Sequence, residues 1–168
     1  MNLVNMVSAW QNLNLKYESN MEFQYRHNTS TANDILLHLK KCDGQFIPAL
    51  SLTVDLNGYA LKIYANADRF EAWQNNELVG LVAAYFNDTV NAVGFITNVS
   101  VDNSYSGYGI ASALLTRCID YAKTLHFKCI DLEVNKNNSK AINLYKKFRF
   151  VESGFINDNL KLKHIIAI

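Results

Sequence analysis

Ser106-Gly-Tyr-Gly-Ile-Ala111 lies between a run of β-branched residues and a stretch with helical apolar spacing, a place where a chain can grip an anion. A glycine-containing turn that opens a helix leaves several backbone N–H groups unpaired and facing outward. The helix dipole adds roughly +0.5 of a charge at that end. Such a loop suits a phosphate or pyrophosphate. A plain strand-to-helix turn, with glycines for tightness, would carry the same residues, so the loop alone leaves both readings open. Two further groups have acid–base potential. Asp131 and Glu133 alternate along an apolar run and therefore share one face of a strand, where solvation or a lysine partner is the plain alternative. Tyr145 stands with Ala141, Leu144 and Phe148 at the spacing of a helix face, and on spacing alone it packs in a core.

The elements that must position these groups follow from periodicity. Phe95–Val101 belongs to a strand over 92–101, and Ile110, Leu114, Leu115, Cys118, Ile119 and Ala122 define a helix over 107–125. Cys129–Val134 reads as a strand, 138–147 as a helix with Asn138 as its N-cap. Upstream, a strand begins at Phe23–Tyr25. Ser30 or Thr31 caps a helix that runs to about Cys42 and stops at Gly44. Asp55 caps a second helix to about Asn66 despite the interior Gly58. Phe70–Trp73 and Leu78–Phe86 are strands joined by a Gln-Asn-Asn-Glu turn, and Asn87-Asp88 turns the chain into the 92–101 strand. Two more strands follow at 150–153 and within 160–166. The order β-α-α-β-β-β-α-β-α-β-β predicts an α+β fold: a mixed, mostly antiparallel sheet of six to seven strands flanked by helices, with one right-handed βαβ crossover at its centre.

Bulk properties narrow the field. With 168 residues and 49% hydrophobic content, one core and one domain are expected over 21–168. Residues 1–20, with Leu3, Met6, Val7, Trp10 and Leu13 on one side, read as an N-terminal extension packed on that domain. A net charge of +1 supplies no field for nucleic acid or an anionic membrane, and no apolar run reaches the length of a membrane span. The N-terminus lacks the basic and long apolar regions of a signal peptide. Three cysteines without a C-x-x-C pair and four scattered histidines argue against a disulfide framework or a metal site. A reducing cytoplasm is the expected setting.

The glycine loop has a dinucleotide-binding rival. Gly107-Tyr-Gly109-Ile-Ala-Ser112 approximates G-x-G-x-x-G, and Asp131 lies near the ribose-binding position. Too little chain follows Asp131 for further βα units, and tight turns join the preceding strands, which parallel neighbours cannot be. No Gly-Lys-Ser/Thr is present, so a Walker loop is excluded. A second cluster favours a different family. Asn138-Ser-Lys-Ala141-Ile-Asn-Leu-Tyr145-Lys-Lys-Phe-Arg-Phe150, taken with the 101–115 segment, resembles the GNAT superfamily of acetyl-CoA-dependent N-acetyltransferases. Ser106, Gly109 and Ala111 match its Q/R-x-x-G-x-G/A signature. Asn138, Ala141, Ile142, Leu144, Tyr145, Lys147 and Phe150 match its N-x-x-A-I-x-L-Y-x-K-x-G-F signature. The motifs cover about residues 68–153. Ser106 replaces the usual Arg or Gln, and Arg149 the usual glycine.

The resemblance implies a cofactor slot between two splayed parallel strands, 92–101 and 129–134. Pantetheine would pair with backbone near Val99 and Val101, and the pyrophosphate would sit on Ser106, Gly107, Tyr108, Gly109, Ile110 and Ala111. Asn138, Ala141 and Tyr145 would complete acetyl-CoA binding, with no metal. The Val99 N–H would polarise the thioester carbonyl, Glu133 would be the general base, and Tyr145 the acid beside the sulfur. The implied reaction is direct acetyl transfer to a primary amine of a small molecule (amino sugar, amino acid or polyamine) by a monomer or homodimer. A protein N-terminal acetyltransferase of the ribosomal-protein type, whose Leu-Glu-Val resembles Leu132–Val134, and a non-catalytic acyl-CoA-binding module are the alternatives. Acceptor choice would fall to about 30–66 and 154–160, where Phe46, Ile47, Tyr59, Tyr64 and Phe155 stand.

Overall fold

Seven strands form one sheet: β1 (Gln24–His27), β2 (Asp68–Gln74), β3 (Glu77–Asp88), β4 (Val93–Val101), β5 (Cys129–Asn135), β6 (Val151–Ile156) and β7 (Asn159–Ile165). The structure, a computed structural model, describes residues 21–166, so the expected N-terminal extension lies outside the described residues. Spatial order is β1-β2-β3-β4-β5-β7-β6, antiparallel throughout except for the β4–β5 pair. Four helices, α1 (Ala32–Cys42), α2 (Leu56–Asn66), α3 (Ile110–Thr124) and α4 (Ser139–Lys147), cover its two faces. The α+β class, the strand number and the single parallel step agree with the sequence reading.

Local chemistry explains where the elements begin. Thr31 Oγ1 accepts from Asp34 N at 3.2 Å while Thr31 N donates to Asp34 Oδ2 at 2.8 Å, a reciprocal capping box at the head of α1. Asp55 Oδ2 accepts from Gly58 N at 2.8 Å and starts α2. Between β2 and β3, Asn75 and Asn76 take φ of 47° and 62°, the twist that a two-residue hairpin favours. The helix expected from 107 starts later, at Ile110, because Gly107 and Gly109 hold φ of 87° and 76° and cannot propagate a right-handed turn.

Each sheet face has its own core. Against α3 and α4 pack Phe70, Val82, Ile96, Ile130 and Leu132, with Leu114, Leu115, Cys118, Ile142 and Tyr145 from the helices. Against α1 and α2 pack Trp73, Leu81 and Ala83, with Ile35, Leu39 and Ile63. Two-sided cover makes the middle of β2 and β3 continuously buried rather than alternating. Glu71 on β2, 0% exposed and 3.6 Å from the buried Arg69, accepts from Thr29 N and Oγ1, Ser30 N and Oγ, and Trp73 Nε1. Burial pushes its carboxyl up, but these hydrogen bonds, led by Ser30, win and hold it below its ordinary range. The bonds tie the chain entering α1 to the sheet.

The feature that makes a site is a break in this sheet. β4 pairs with β5 only over Val93–Ile96 against Cys129–Leu132. At that point the β3–β4 register shifts: Ala84 faces Ile96 but Ala83 faces Asn98, so Thr97 is a bulge residue. Beyond it β4 follows β3, while β5 runs on to Asn135 beside β7. The two parallel strands splay.

Candidate active site

A cleft of ≈ 1030 Å³ opens through the splay and is walled by elements from both faces of the sheet. On one face stand the 106–112 loop and α4; on the other stands the connection from α1 to α2, with Phe46, Ile47, Pro48 and Leu50. Val99, Val101, Ser106, Gly107, Gly109, Ile110, Ala111, Glu133, Asn138, Ala141 and Tyr145 all line it. Tyr108 does not: its ring packs edge-on against Phe23 at 5.6 Å. Of the aromatic residues expected to choose the acceptor, Phe46 lines the cleft and Tyr59 reaches Thr97. Tyr64 packs against Arg69, and Phe155 is exposed on β6.

The loop end of the cleft fits an anion. α3 has Gly109 as its N-cap and no side chain satisfies its first N–H groups. Nothing lies within 4 Å of where a Cβ would sit on Gly107 or Gly109, so the backbone is open to a ligand. Gly80 brings β3 close behind, since a Cβ there would meet Ile110 Cγ2 at 2.6 Å. Residues 106–111 thus suit a pyrophosphate, and the unpaired edge of β4 beyond Ile96 suits an extended amide chain.

The chemical groups sit where the splay exposes them. Tyr145 is buried and edge-on to Phe150 at 5.7 Å, and burial pushes its hydroxyl well above the ordinary range, so it stays protonated at neutral pH. Asn138 Oδ1 caps α4 by accepting from Ala141 N at 3.1 Å. The two carboxylates of β5 separate in role. Asp131 pairs with Lys163 at 2.8 Å, whereas Glu133, opposite Lys161, is exposed and makes no ion pair among the described residues.

A buried polar chain on the other side of β4 was not apparent in the sequence. His38 on α1, 1% exposed, lies 3.0 Å from Leu78 O through Nδ1 and 2.9 Å from Ser100 Oγ through Nε2. Ser100 Oγ is in turn 2.7 Å from the Asn98 amide, and both Ser100 and Asn98 border the cleft. Burial, with no carboxylate in hydrogen-bond contact, lowers His38 from its ordinary value to about 4, so it is neutral at pH 7. Tyr59 on α2 donates to Thr97 O at 2.7 Å. The i, i+2 spacing of Asn98 and Ser100 puts two polar residues on one face of an apolar strand, a signal the sequence carries but that does not point to His38.

The family model for the GNAT acetyltransferases matches residues 33–150, and the chain belongs to that family. It is 31% identical over 84 residues to the spermine/spermidine N(1)-acetyltransferase of Bacillus subtilis, an alignment covering 49% of this chain and 55% of the relative. The chain spans between 31% and 55% of the length of the curated relatives it matches. The fold is similar to that of the ribosomal-protein-S18-alanine N-acetyltransferase of Escherichia coli, with TM-score 0.68 and 17% identity over 88% of this chain and 96% of that one. It is equally similar to a Thermoplasma acidophilum N-acetyltransferase in complex with coenzyme A, with TM-score 0.68 and 12% identity over 86% and 99% of the two chains.

Proposed function

We propose that this protein transfers an acetyl group from acetyl-CoA directly to the primary amine of a small molecule. The carrying observation is the splay at Thr97: it opens the sheet between an uncapped glycine loop on one side and an apolar acceptor loop on the other. Residues 106–111 would hold the pyrophosphate and the free edge of β4 the pantetheine arm. A single well-aimed backbone donor such as Val99 N–H at the thioester carbonyl can contribute roughly 3 kcal/mol. Tyr145, which burial keeps protonated and which lines the cleft, would give its proton to the departing thiolate.

The attacking amine must be neutral. At pH 7 that costs about 4.6 kcal/mol for a lysine-like amine and about 1.4 kcal/mol for an α-amine. Glu133 supplies a free carboxylate at the cleft for that proton. Among small amines, an amino acid or amino sugar suits the cleft better than a polyamine. Its lining carries one carboxylate, Glu133, and two ammonium groups, Lys140 and Lys147, a poor match for a chain of cations. A second reading is acetylation of protein N-termini, favoured by Phe46, Ile47 and Leu50, which offer an apolar surface for a first side chain. Thiol release from acetyl-CoA, measured over amino acids, amino sugars, polyamines and short peptides, tests both. Turnover confined to peptides selects the second reading, and no turnover at all removes both.

A further inference from the structure

We propose that the acceptor is an amino acid, with Lys161 seating its carboxylate while Glu133, on the neighbouring strand, receives its amine. The inference rests on the acetyltransferase reading and narrows the acceptor to amines that carry a carboxylate.

The two faces of the β5–β7 pair differ in chemistry. Leu132, Val134, Leu160 and Leu162 turn into the core beneath α3 and α4. The residues that alternate with them share the opposite face: Asp131, Glu133 and Asn135 on β5, Asn159, Lys161 and Lys163 on β7. This is the side of the sheet on which α1, α2 and their connection lie. The core beneath α1 and α2 takes no member from β5, β6 or β7, so this stretch of sheet is left open to a ligand. Strand pairing sets Asp131 opposite Lys163, Glu133 opposite Lys161, and Asn135 opposite Asn159.

The two charged pairs are in different states. Asp131 and Lys163 close on each other at 2.8 Å. Glu133 and Lys161 make no ion pair, with each other or with any other group among the described residues. The stem of Lys161 passes over Gly154 of β6, its Cδ lying 3.9 Å from where a Cβ would sit there. Lys161 is therefore a half-buried, uncommitted cation. It is flanked on its own face by two residues that line the cleft, Glu133 across from it and Asn159 two positions before it. The other lysines at the cleft, Lys140 and Lys147, belong to α4 on the far side of the sheet.

An open acid–base pair of this width matches a zwitterion. Directly opposed cross-strand residues hold their Cβ atoms about 4.5–5.5 Å apart. An α-amino acid carries its amine and carboxylate on one carbon, so a single small ligand can meet both side chains. With the amine at Glu133 and the carboxylate at Lys161, each ligand charge faces its opposite. A polyamine would bring a second cation against Lys161, and an amino sugar would leave that ammonium unanswered. Discrimination thus comes from repulsion as well as attraction.

Initial rates with acetyl-CoA and each common amino acid, beside its neutral carboxamide, test the assignment. Wild type should favour at least one amino acid over its carboxamide by about tenfold or more in kcat/KM, the size of one charge-assisted contact. Lys161→Met keeps the stem over Gly154 and loses the charge. It should raise KM for that amino acid about tenfold, leaving KM for acetyl-CoA and kcat/KM for the carboxamide within about twofold of wild type. A wild type that does not distinguish acid from amide overturns the proposal, as does a preference that survives in Lys161→Met or an equal loss on both substrates. Turnover confined to polyamines, amino sugars or peptides overturns it too. No turnover of any amine defeats the acetyltransferase reading itself, a result distinct from all of these.

Discussion

Tyr145 and Glu133 divide the proton traffic of the proposed reaction, and their surroundings explain why. Tyr145 sits in the α3/α4 core with its hydroxyl pushed up by burial, so it would enter the proposed reaction protonated. Tyr145→Phe keeps the ring and its contact with Phe150, so Tm should change little. A general acid typically contributes 10²–10⁴-fold, and a thiolate with a parent pKa near 8.5 leaves readily, so a loss of roughly 10–100-fold in kcat is expected. A kcat within about twofold of wild type, with chemistry rate-limiting, would return Tyr145 to packing. Glu133, by contrast, is exposed at the cleft. Glu133→Gln should depress kcat/KM most at neutral pH and recover as rising pH deprotonates the amine unaided; a flat ratio to wild type across about pH 6.5–9.5 would remove Glu133 from the reaction. His38 affects stability. Its pKa in the fold is about 4 against an ordinary 6.5, so the unfolded chain binds a proton that the native one refuses. Stability is therefore lost as pH falls through 6.5 and the loss levels off below about 4, at most about 3 kcal/mol. Chemical denaturation of His38→Gln, compared with wild type at pH 7 and pH 4.5, should show a smaller acid loss; an equal loss would mean His38 does not resist protonation.

The 106–111 loop acts as an element, not as a set of side chains, so its test must alter backbone access. Gly109→Glu fills the open space before α3 with a negative charge, while Gly109→Ala carries only the backbone strain of φ 76°. That strain costs about 1–2 kcal/mol in both variants. Acetyl-CoA at 100 times its Kd should stabilise wild type by about 2.7 kcal/mol. The resulting Tm shift should survive in part in Gly109→Ala and vanish in Gly109→Glu; a full shift in the charged variant would place the cofactor elsewhere. This loop, the helices beside it and the order of elements along the chain were legible because glycines, caps and apolar periodicity are local signals. The splay was expected only through the family resemblance, because a bulge at Thr97 depends on how β3 and β4 pair, and Ile96-Thr-Asn-Val99 carries no glycine or proline to mark it. The His38 chain was missed for the same reason: its members are 40 and 62 residues from His38 in sequence and meet only across α1, β3 and β4. Helix ends moved by a few residues where positive φ at Gly107 and Gly109 overrode apolar spacing.

On the scale of the whole molecule, the sheet is a partition with an opening. The 106–111 loop and α4 lie on one face, the α1–α2 connection on the other, and the bulge connects them. In the proposed reaction two substrates entering from opposite faces would meet at the gap, with no need to store the acetyl group on the protein between steps. The available nucleophiles agree with this. Cys42 is buried with its thiol pushed up to about 12, Cys118 is buried and pushed further up, and Cys129 is buried in β5. Neither Cys42 nor Cys118 offers a thiolate at neutral pH of the kind covalent catalysis requires. Initial-rate plots against one substrate at several fixed levels of the other should therefore intersect, the pattern of a ternary complex. Incubation with radiolabelled acetyl-CoA alone should leave no acid-stable label on the protein, and thiol alkylation under native conditions should spare activity. Parallel lines together with a labelled cysteine would show that the opening at Thr97 is not where the two substrates meet.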